Sequence, residues 1–266
     1  MDVPPLVTVA MPVFNGGKYL RTAVLSIIIQ TFTNWELLVI DDGSTDTALN
    51  SISDIKDPRI TVLRDGENKG LASRLNEAID LARGRLFARM DQDDVSYPER
   101  FERQVMMLQG DPSIDMIGVR TIALSEDDEL LGPLPCDTTH DAICAKPWRG
   151  FYLPHPTWMG RIDWFRKHRY TKPGPYFCED QELLLRSYRT SRFGAVDEIL
   201  FGYRTRNRVN WQKLMKTRRS VLRVQVHHFL KTRQAYFLFM AMIVFCGRVL
   251  SDVLRFTRIT LKKQSH

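Results

Sequence analysis

Arg89-Met90-Asp91-Gln92-Asp93-Asp94 sets three carboxylates within four residues, directly behind the apolar run Leu86 to Met90. Like charges this close repel one another unless they share a cation or point into water. Hard divalent cations such as magnesium and manganese take oxygen ligands, commonly from one or two carboxylates together with the phosphates of a substrate. Asp91 and Asp93 stand two apart, so in an extended loop leaving a strand both side chains reach one centre. The competing reading is a solvated acidic turn ahead of a helix, with Ser96 or Tyr97 as N-cap and Pro98 at the first helical position.

Asp42 poses a similar choice. It follows the apolar run Trp35 to Ile40 and opens Asp42-Gly43-Ser44-Thr45-Asp46. An acid at a strand end can accept from a base edge or a ribose, while Asp-Gly-Ser-Thr-Asp also suits an Asx-turn or a helix N-cap. No G-x-G-x-x-G follows the first strand, which disfavours a dinucleotide site, and the absence of G-x-x-x-x-G-K-[ST] excludes a P-loop. What is left is a nucleotide held through acids and a metal.

These residues need elements to position them. Leu6 to Val13 reads as a buried strand ending in Asn15-Gly16-Gly17, and Lys18 to Gln30 carries apolar residues at helical spacing. Trp35 to Ile40 and Ile60 to Leu63 read as strands, Gly70 to Ala82 as a helix, Leu86 to Met90 as a fourth strand and Pro98 to Leu108 as the helix behind it. Strands alternating with helices predict an α/β fold with a mostly parallel sheet flanked by helices. Ligands bind outside the carboxyl ends of such strands. Asn15-Gly16-Gly17, Asp41-Asp42-Gly43 and Asp91-Gln92-Asp93-Asp94 all follow strand ends and should share one crevice. Further on, Met116 to Leu124 and Val196 to Tyr203 read as strands, His155 to Gly160 as a strand or a substrate-facing loop, and Glu179-Asp180 opens a helical stretch over Gln181 to Tyr188.

The ordered motifs resemble glycosyltransferase family 2, inverting enzymes of the GT-A (Rossmann-like) fold that use nucleotide-sugar donors. The matching residues are Val9-Ala10-Met11-Pro12-Val13-Phe14-Asn15 with Tyr19-Leu20, Gln30-Thr31-Phe32, Asp41 to Asp46, Asn68-Lys69-Gly70-Leu71-Ala72 with Arg74 and Asn76, Asp91 to Asp94, and Glu179-Asp180, spread over about Pro5 to Tyr203. The resemblance implies donor binding by Pro12, Phe14, Asn15, Asp42, Lys69, Arg74 and Asp91, with Asp42 toward the base and Asp91 near the ribose. It implies Mn2+ or Mg2+ on Asp91, Asp93 and Asp94, and Asp180 as catalytic base. Glu179 and His155 are then candidates for acceptor or diphosphate contacts. The alternatives are that Glu179 and Asp180 simply favour a helix N-terminus, and that His155 is a loop residue with a satisfied ring. No Gln-x-x-Arg-Trp of the processive synthases is present, which favours transfer of one sugar over polymerisation.

Composition suits one large α/β domain with a tail, 44% hydrophobic and 26% charged. We read residues 1–208 as the catalytic domain and 209–266 as a basic and apolar helical tail. The net charge of +7 gathers toward the C-terminus and suits an anionic partner. The four cysteines show neither C-x-x-C nor zinc spacing, and no secretory signal opens the chain, so a cytoplasmic protein is expected. Ala235 to Gly247 is an apolar or small run of thirteen residues, shorter than the roughly 20 a spanning helix needs. Beyond it Arg248, Asp252, Arg255, Arg258 and Lys262 stripe one face and Val249, Leu250, Val253 and Leu254 take the other, the pattern of an interfacial helix.

The resulting expectation is a metal-dependent inverting glycosyltransferase, peripheral on the cytoplasmic face of an anionic membrane. Its donor would be a nucleotide sugar, UDP-linked by the commoner family choice, and its acceptor a glycan or lipid-linked glycan, with no nucleic acid. The rivals are a sugar nucleotidyltransferase, for which Asn15-Gly16-Gly17-Lys18 is a poor loop, and a non-catalytic nucleotide-sugar-binding protein at the membrane.

Overall fold

A computed structural model describes residues 4–205 and 210–264, with side chains through 254. The chain begins with β1 (Val7–Val13), a 3₁₀ turn at Gly17–Tyr19 and α1 (Leu20–Ile28). β2 (Trp35–Asp41), β3 (Ile60–Arg64), α2 (Leu71–Leu81) and β4 (Leu86–Arg89) follow. Then come β5 (Val95–Ser96), α3 (Arg100–Gly110), β6 (Met116–Leu124), β7 (Leu130–Pro133), α4 (His140–Cys144), β8 (Met159–Arg161) and α5 (Ile162–Lys167). The chain closes with α6 (Glu179–Ser187), β9 (Phe193–Arg204), α7 (Trp211–Lys231) and α8 (Ala235–Gln264).

Among the described residues the strands form one sheet in the order β3-β2-β1-β4-β8-β6-β9-β5, with β7 paired to β6. The first four are parallel, β8 runs antiparallel to both β4 and β6, and β6 and β9 are again parallel. The expected α/β class, with a mostly parallel sheet flanked by helices, is observed. β1 is buried at all seven residues, as a central parallel strand covered on both faces is, and it is apolar but for Thr8, whose hydroxyl donates to Glu36 at 2.6 Å.

Pro12 sits inside β1 without breaking the ladder. Ala10 O accepts from Met90 N on the β4 side, and Val13 O accepts from Asp42 N on the β2 side. By the alternation of a strand, Pro12 faces the β4 side beyond its last rung, where a missing N–H removes no bond. β1 and β4 part there, opening the carboxyl edge. On one face of the sheet Leu20, Ala23, Val24 and Ile27 of α1 join Val9, Met11, Leu37 and Val39 in one buried cluster. Each such aliphatic contributes about 1.5–3 kcal/mol by leaving water.

The helix behind the acidic loop starts later than expected. Val95–Ser96 pairs with Phe201 and Gly202 of β9 instead of capping a helix, and Ser96 N donates to Ser26 Oγ at 3.1 Å. α3 then begins at Arg100, with Glu99 at the cap position making no side-chain cap. Neither Ser96 nor Tyr97 is the N-cap, because a long-range strand pairing captured the segment first.

The chain divides into two compact units, one of residues 1–145, 152–174 and 187–207 and the other of 146–151, 175–186 and 208–266. In the second, α7 and α8 pack along each other. Phe229 and Phe237 lie 5.7 Å apart near the connecting turn, and Arg218 meets Asp252 at 3.1 Å further along. α8 corrects one expectation. Arg248 closes the thirteen-residue apolar run, but the helix continues unbroken, and Ala235–Leu254, twenty residues with mean hydropathy 2.0, is long and apolar enough to cross a membrane. Of the stripe, Arg248 donates to Arg149 O at 2.7 Å and Asp252 is paired, while Leu250, Val253 and Leu254 on the other face are exposed. Arg255, Arg258 and Lys262 lie outside the described side chains.

Candidate active site

The loops after β1, β2 and β4 are laced into one rim. Asn15, at a positive φ of 51° that asparagine tolerates, accepts at Oδ1 from Thr45 N at 2.8 Å and Asp46 N at 3.2 Å, while its own N–H donates to Ser44 Oγ at 3.0 Å. Gly17 N donates to Asp46 Oδ2 at 2.9 Å. Gln92 ties in the acidic loop from both ends of its amide: Oε1 accepts from Phe14 N at 2.8 Å and Nε2 donates to Phe14 O at 3.0 Å. The three polar clusters therefore do share one edge, and Phe14, 46% exposed, stands on it.

Asp42 and Arg74 form a brace behind this rim. Asp42 is buried and accepts from Lys69 N at 2.7 Å, Gly70 N at 3.0 Å and Arg74 Nε at 2.9 Å. Arg74, 1% exposed in its side chain, also meets Asp65 at 2.6 Å and Glu77 at 2.8 Å. Those partners raise the Arg74 guanidinium's pKa, Asp65 foremost, and Arg74 followed by Lys69 holds the Asp65 carboxyl low. Gly43, at φ 73°, lets the loops close: a Cβ there would meet Glu67 C at 2.9 Å. Arg74 is thus turned to its carboxylate partners rather than outward to a ligand, and Asp42 carries the Lys69-Gly70 backbone. Lys69 itself is partly exposed and pairs with Asp65 at 2.6 Å and Glu67 at 3.2 Å.

Buried cations underlie the acidic loop. Arg89 meets Asp91 at 2.8 Å. Arg100, fully buried, donates to Arg89 O at 2.8 Å, and desolvation brings its pKa down to about 9. Arg204 donates through Nε to Asp93 O at 2.8 Å, through a second nitrogen to Asp128 at 2.6 Å, and stacks over the Tyr19 ring at 4.1 Å. Asp91 and Asp93 are half-buried and Asp94 is buried. Asp94 Oδ1 accepts from Arg204 N at 2.8 Å, fastening β9 beneath the loop. Burial, then the charge of Asp91, pushes the Asp94 carboxyl well above the usual range, and burial and the same acids push the Tyr203 phenol up.

The carboxylates of Asp91, Asp93 and Asp94 supply oxygen ligands of the type that divalent cations take. Asp94 Oδ2 is buried without a hydrogen-bond partner. Among the described residues no group of three His, Cys, Asp or Glu side chains is placed to hold a metal ion; magnesium held by one or two carboxylates takes its other oxygens from water and a substrate's phosphates.

His155 is buried in a 3₁₀ turn, 2.8 Å from Tyr170 Oη through Nε2 and tilted against the Trp158 ring at 4.5 Å. Burial, and secondarily Arg89, holds its pKa well below the ordinary value, so it is neutral. Glu179 and Asp180 open α6 in the second unit, where Asp180 Oδ2 accepts from Gln181 Nε2 at 3.0 Å. Gln92, Arg89 and Arg204 carry much of the site's architecture and were not among the expected residues. Arg89 alone had a local signal, a cation closing an apolar strand; Arg204 meets its partners across more than seventy residues.

The profile of glycosyl transferase family 2 matches residues 8–169, which span all three rim loops. The chain belongs to that family. An uncharacterised glycosyltransferase of Haemophilus influenzae is 31% identical over 222 residues, 77% of this chain and 67% of that one. The Escherichia coli UDP-Glc:alpha-D-GlcNAc-diphosphoundecaprenol beta-1,3-glucosyltransferase WfgD is 36% identical over 103 residues, 39% of this chain and 41% of its own length, so less than half of that relative is spanned. Among solved structures, S. aureus TarS 1-349 in complex with UDP-GlcNAc superposes with TM-score 0.66 at 17% identity, over 84% of this family 2 chain and 65% of TarS, a likeness of fold.

Proposed function

We propose that this family 2 member is an inverting, metal-dependent glycosyltransferase that moves one sugar from a nucleotide-sugar donor, a UDP-sugar, to a glycan or lipid-linked glycan acceptor in surface polysaccharide assembly. The observation that carries the reading is the laced rim: the carboxyl ends of β1, β2 and β4 are bonded into one edge, and on it stand the half-buried carboxylates of Asp91 and Asp93. UDP-Glc as donor and a diphosphoundecaprenol-linked acceptor of WfgD, and UDP-GlcNAc bound to TarS, support the donor and acceptor classes.

In this reading residues 1–208 are the catalytic part and 209–266 the tail. The rim at Pro12, Phe14 and Asn15 receives the nucleoside, Asp42 and Arg74 hold the Lys69 loop that borders it, and Asp91 lies toward the ribose. Asp91 and Asp93 hold Mn2+ or Mg2+, with Asp94 behind them anchoring Arg204. Such a cation neutralises the charge a leaving diphosphate develops. Asp180 takes the proton of the acceptor hydroxyl as its oxygen attacks the anomeric carbon opposite the diphosphate, with Glu179 beside it for the acceptor. The work is done on the cytoplasmic face of a membrane. Incubating the chain with manganese, a panel of nucleotide sugars and a diphosphoundecaprenol-linked sugar tests this. One donor should give nucleoside diphosphate and a product of inverted anomeric configuration by NMR. A retained configuration would refute inversion, and conversion of the donor to nucleoside triphosphate and sugar phosphate on addition of pyrophosphate, with no sugar passing to the acceptor, would refute glycosyl transfer.

A further inference from the structure

α8 is amphipathic with its sides reversed relative to a surface helix. Among its described side chains, the charged Arg248 and Asp252 are turned to Arg149 O and Arg218, and Ala241 and Phe237 pack inward, the latter against Trp148 at 4.9 Å. The exposed face carries Tyr236, Phe239, Met242, Ile243, Leu250 and Leu254, each between 44% and 63% exposed. Only 6% of the Ala235–Leu254 window is buried. A continuous apolar face of this size needs a cover.

The neighbouring helix indicates which cover. α7 contains no Asp or Glu, and its exposed positions Lys213, Lys216, Arg219, Arg223 and His227 recur at helical spacing as one basic stripe. An apolar face joined to a basic stripe matches the two layers of an anionic leaflet, acyl chains and headgroup phosphates. Length alone would also permit α8 to cross, since twenty residues rise about 30 Å. The pairing with α7 argues against that. From Phe229–Phe237 to Arg218–Asp252 the two helices run side by side, so a crossing α8 would carry Arg218, Arg219 and Arg223 into the hydrocarbon or leave Asp252 there without its partner.

We infer that the α7–α8 hairpin is an in-plane anchor for an anionic membrane, with α8's outer face set among acyl chains and α7's basic stripe at the phosphates. The inference rests on these two helices and not on the donor chemistry proposed above. The test is co-sedimentation of the full chain with phosphatidylcholine vesicles, with and without phosphatidylglycerol. Wild type should sediment with the anionic vesicles, less so at high salt as screening shortens the reach of the charges. Phe239→Glu with Ile243→Glu, both on the exposed face, should abolish binding with melting temperature unchanged. Arg219→Gln should lower partitioning about fivefold, the equivalent of ~1 kcal/mol for a basic residue near an anionic leaflet, and Arg223→Gln the same. Three results would overturn the inference: wild type left in the supernatant at low salt, equal binding to neutral and anionic vesicles that resists salt, or a dimer in solution that the Phe239→Glu, Ile243→Glu pair dissociates while lipid is ignored.

Discussion

The guanidinium of Arg89 and the carboxylate of Asp91 meet at 2.8 Å, with the arginine 3% exposed and the aspartate 29%. β4 thus delivers its own counter-charge to the acidic loop it feeds. Breaking a largely buried pair leaves a charge without compensation and costs about 3–5 kcal/mol. Arg89→Met should lower the melting temperature accordingly, and Arg89→Lys should recover part of the loss. Manganese should still stabilise Arg89→Met, since all three carboxylates remain. A variant that melts like wild type would mean the pair does not organise the loop.

Asp42 separates two roles that the sequence leaves open. If it braces the Lys69-Gly70 backbone and Arg74, Asp42→Asn loses hydrogen bonds to a charged group worth about 1.5–3 kcal/mol, seen as a shift in urea midpoint without any ligand. A reader of the nucleotide base alone would leave that midpoint unchanged and alter only donor affinity.

His155 gives a pH dependence with a definite sign. Its folded pKa lies well below the ordinary 6.5, so the unfolded chain binds the proton more readily. The contribution to stability is complete above about pH 6.5 and is lost as pH falls from there through the folded pKa. His155→Gln should flatten the corresponding part of a melting-temperature profile measured from neutral pH into acid. An unaltered profile would place the acid sensitivity elsewhere.

Asp180→Asn keeps shape and loses basicity. Removing a general base costs about 10² to 10⁴ in rate, so kcat should fall by that much with donor KM nearly unchanged. Wild-type turnover in the variant would remove Asp180 from the chemistry.

Periodicity and turn residues located β1, β2, β3, α2, β4 and β6 to within a residue or two, because each is an apolar run closed by polar or glycine punctuation. That three loops would meet at one edge followed from the parallel order alone. The lacing did not: Gln92 reaches Phe14, and Arg204 reaches Asp93 and Asp128, through partners far off in sequence that no local pattern encodes. β5 went unseen because two residues carry no periodicity, and its pairing with β9 decided where α3 begins. That Arg248 and Asp252 of α8 turn inward was not legible for the same reason, since they meet Arg149 and Arg218 far off in sequence.

The central claim, that the acidic loop holds the donor diphosphate through a cation, is tested most directly by calorimetric titration of UDP into the chain with manganese, with excess chelator, and with Asp93→Asn in manganese. The account predicts binding in the first case, and none or at least a tenfold weaker affinity, about 1.4 kcal/mol, in the other two. Equal affinity in chelator and in manganese would contradict it.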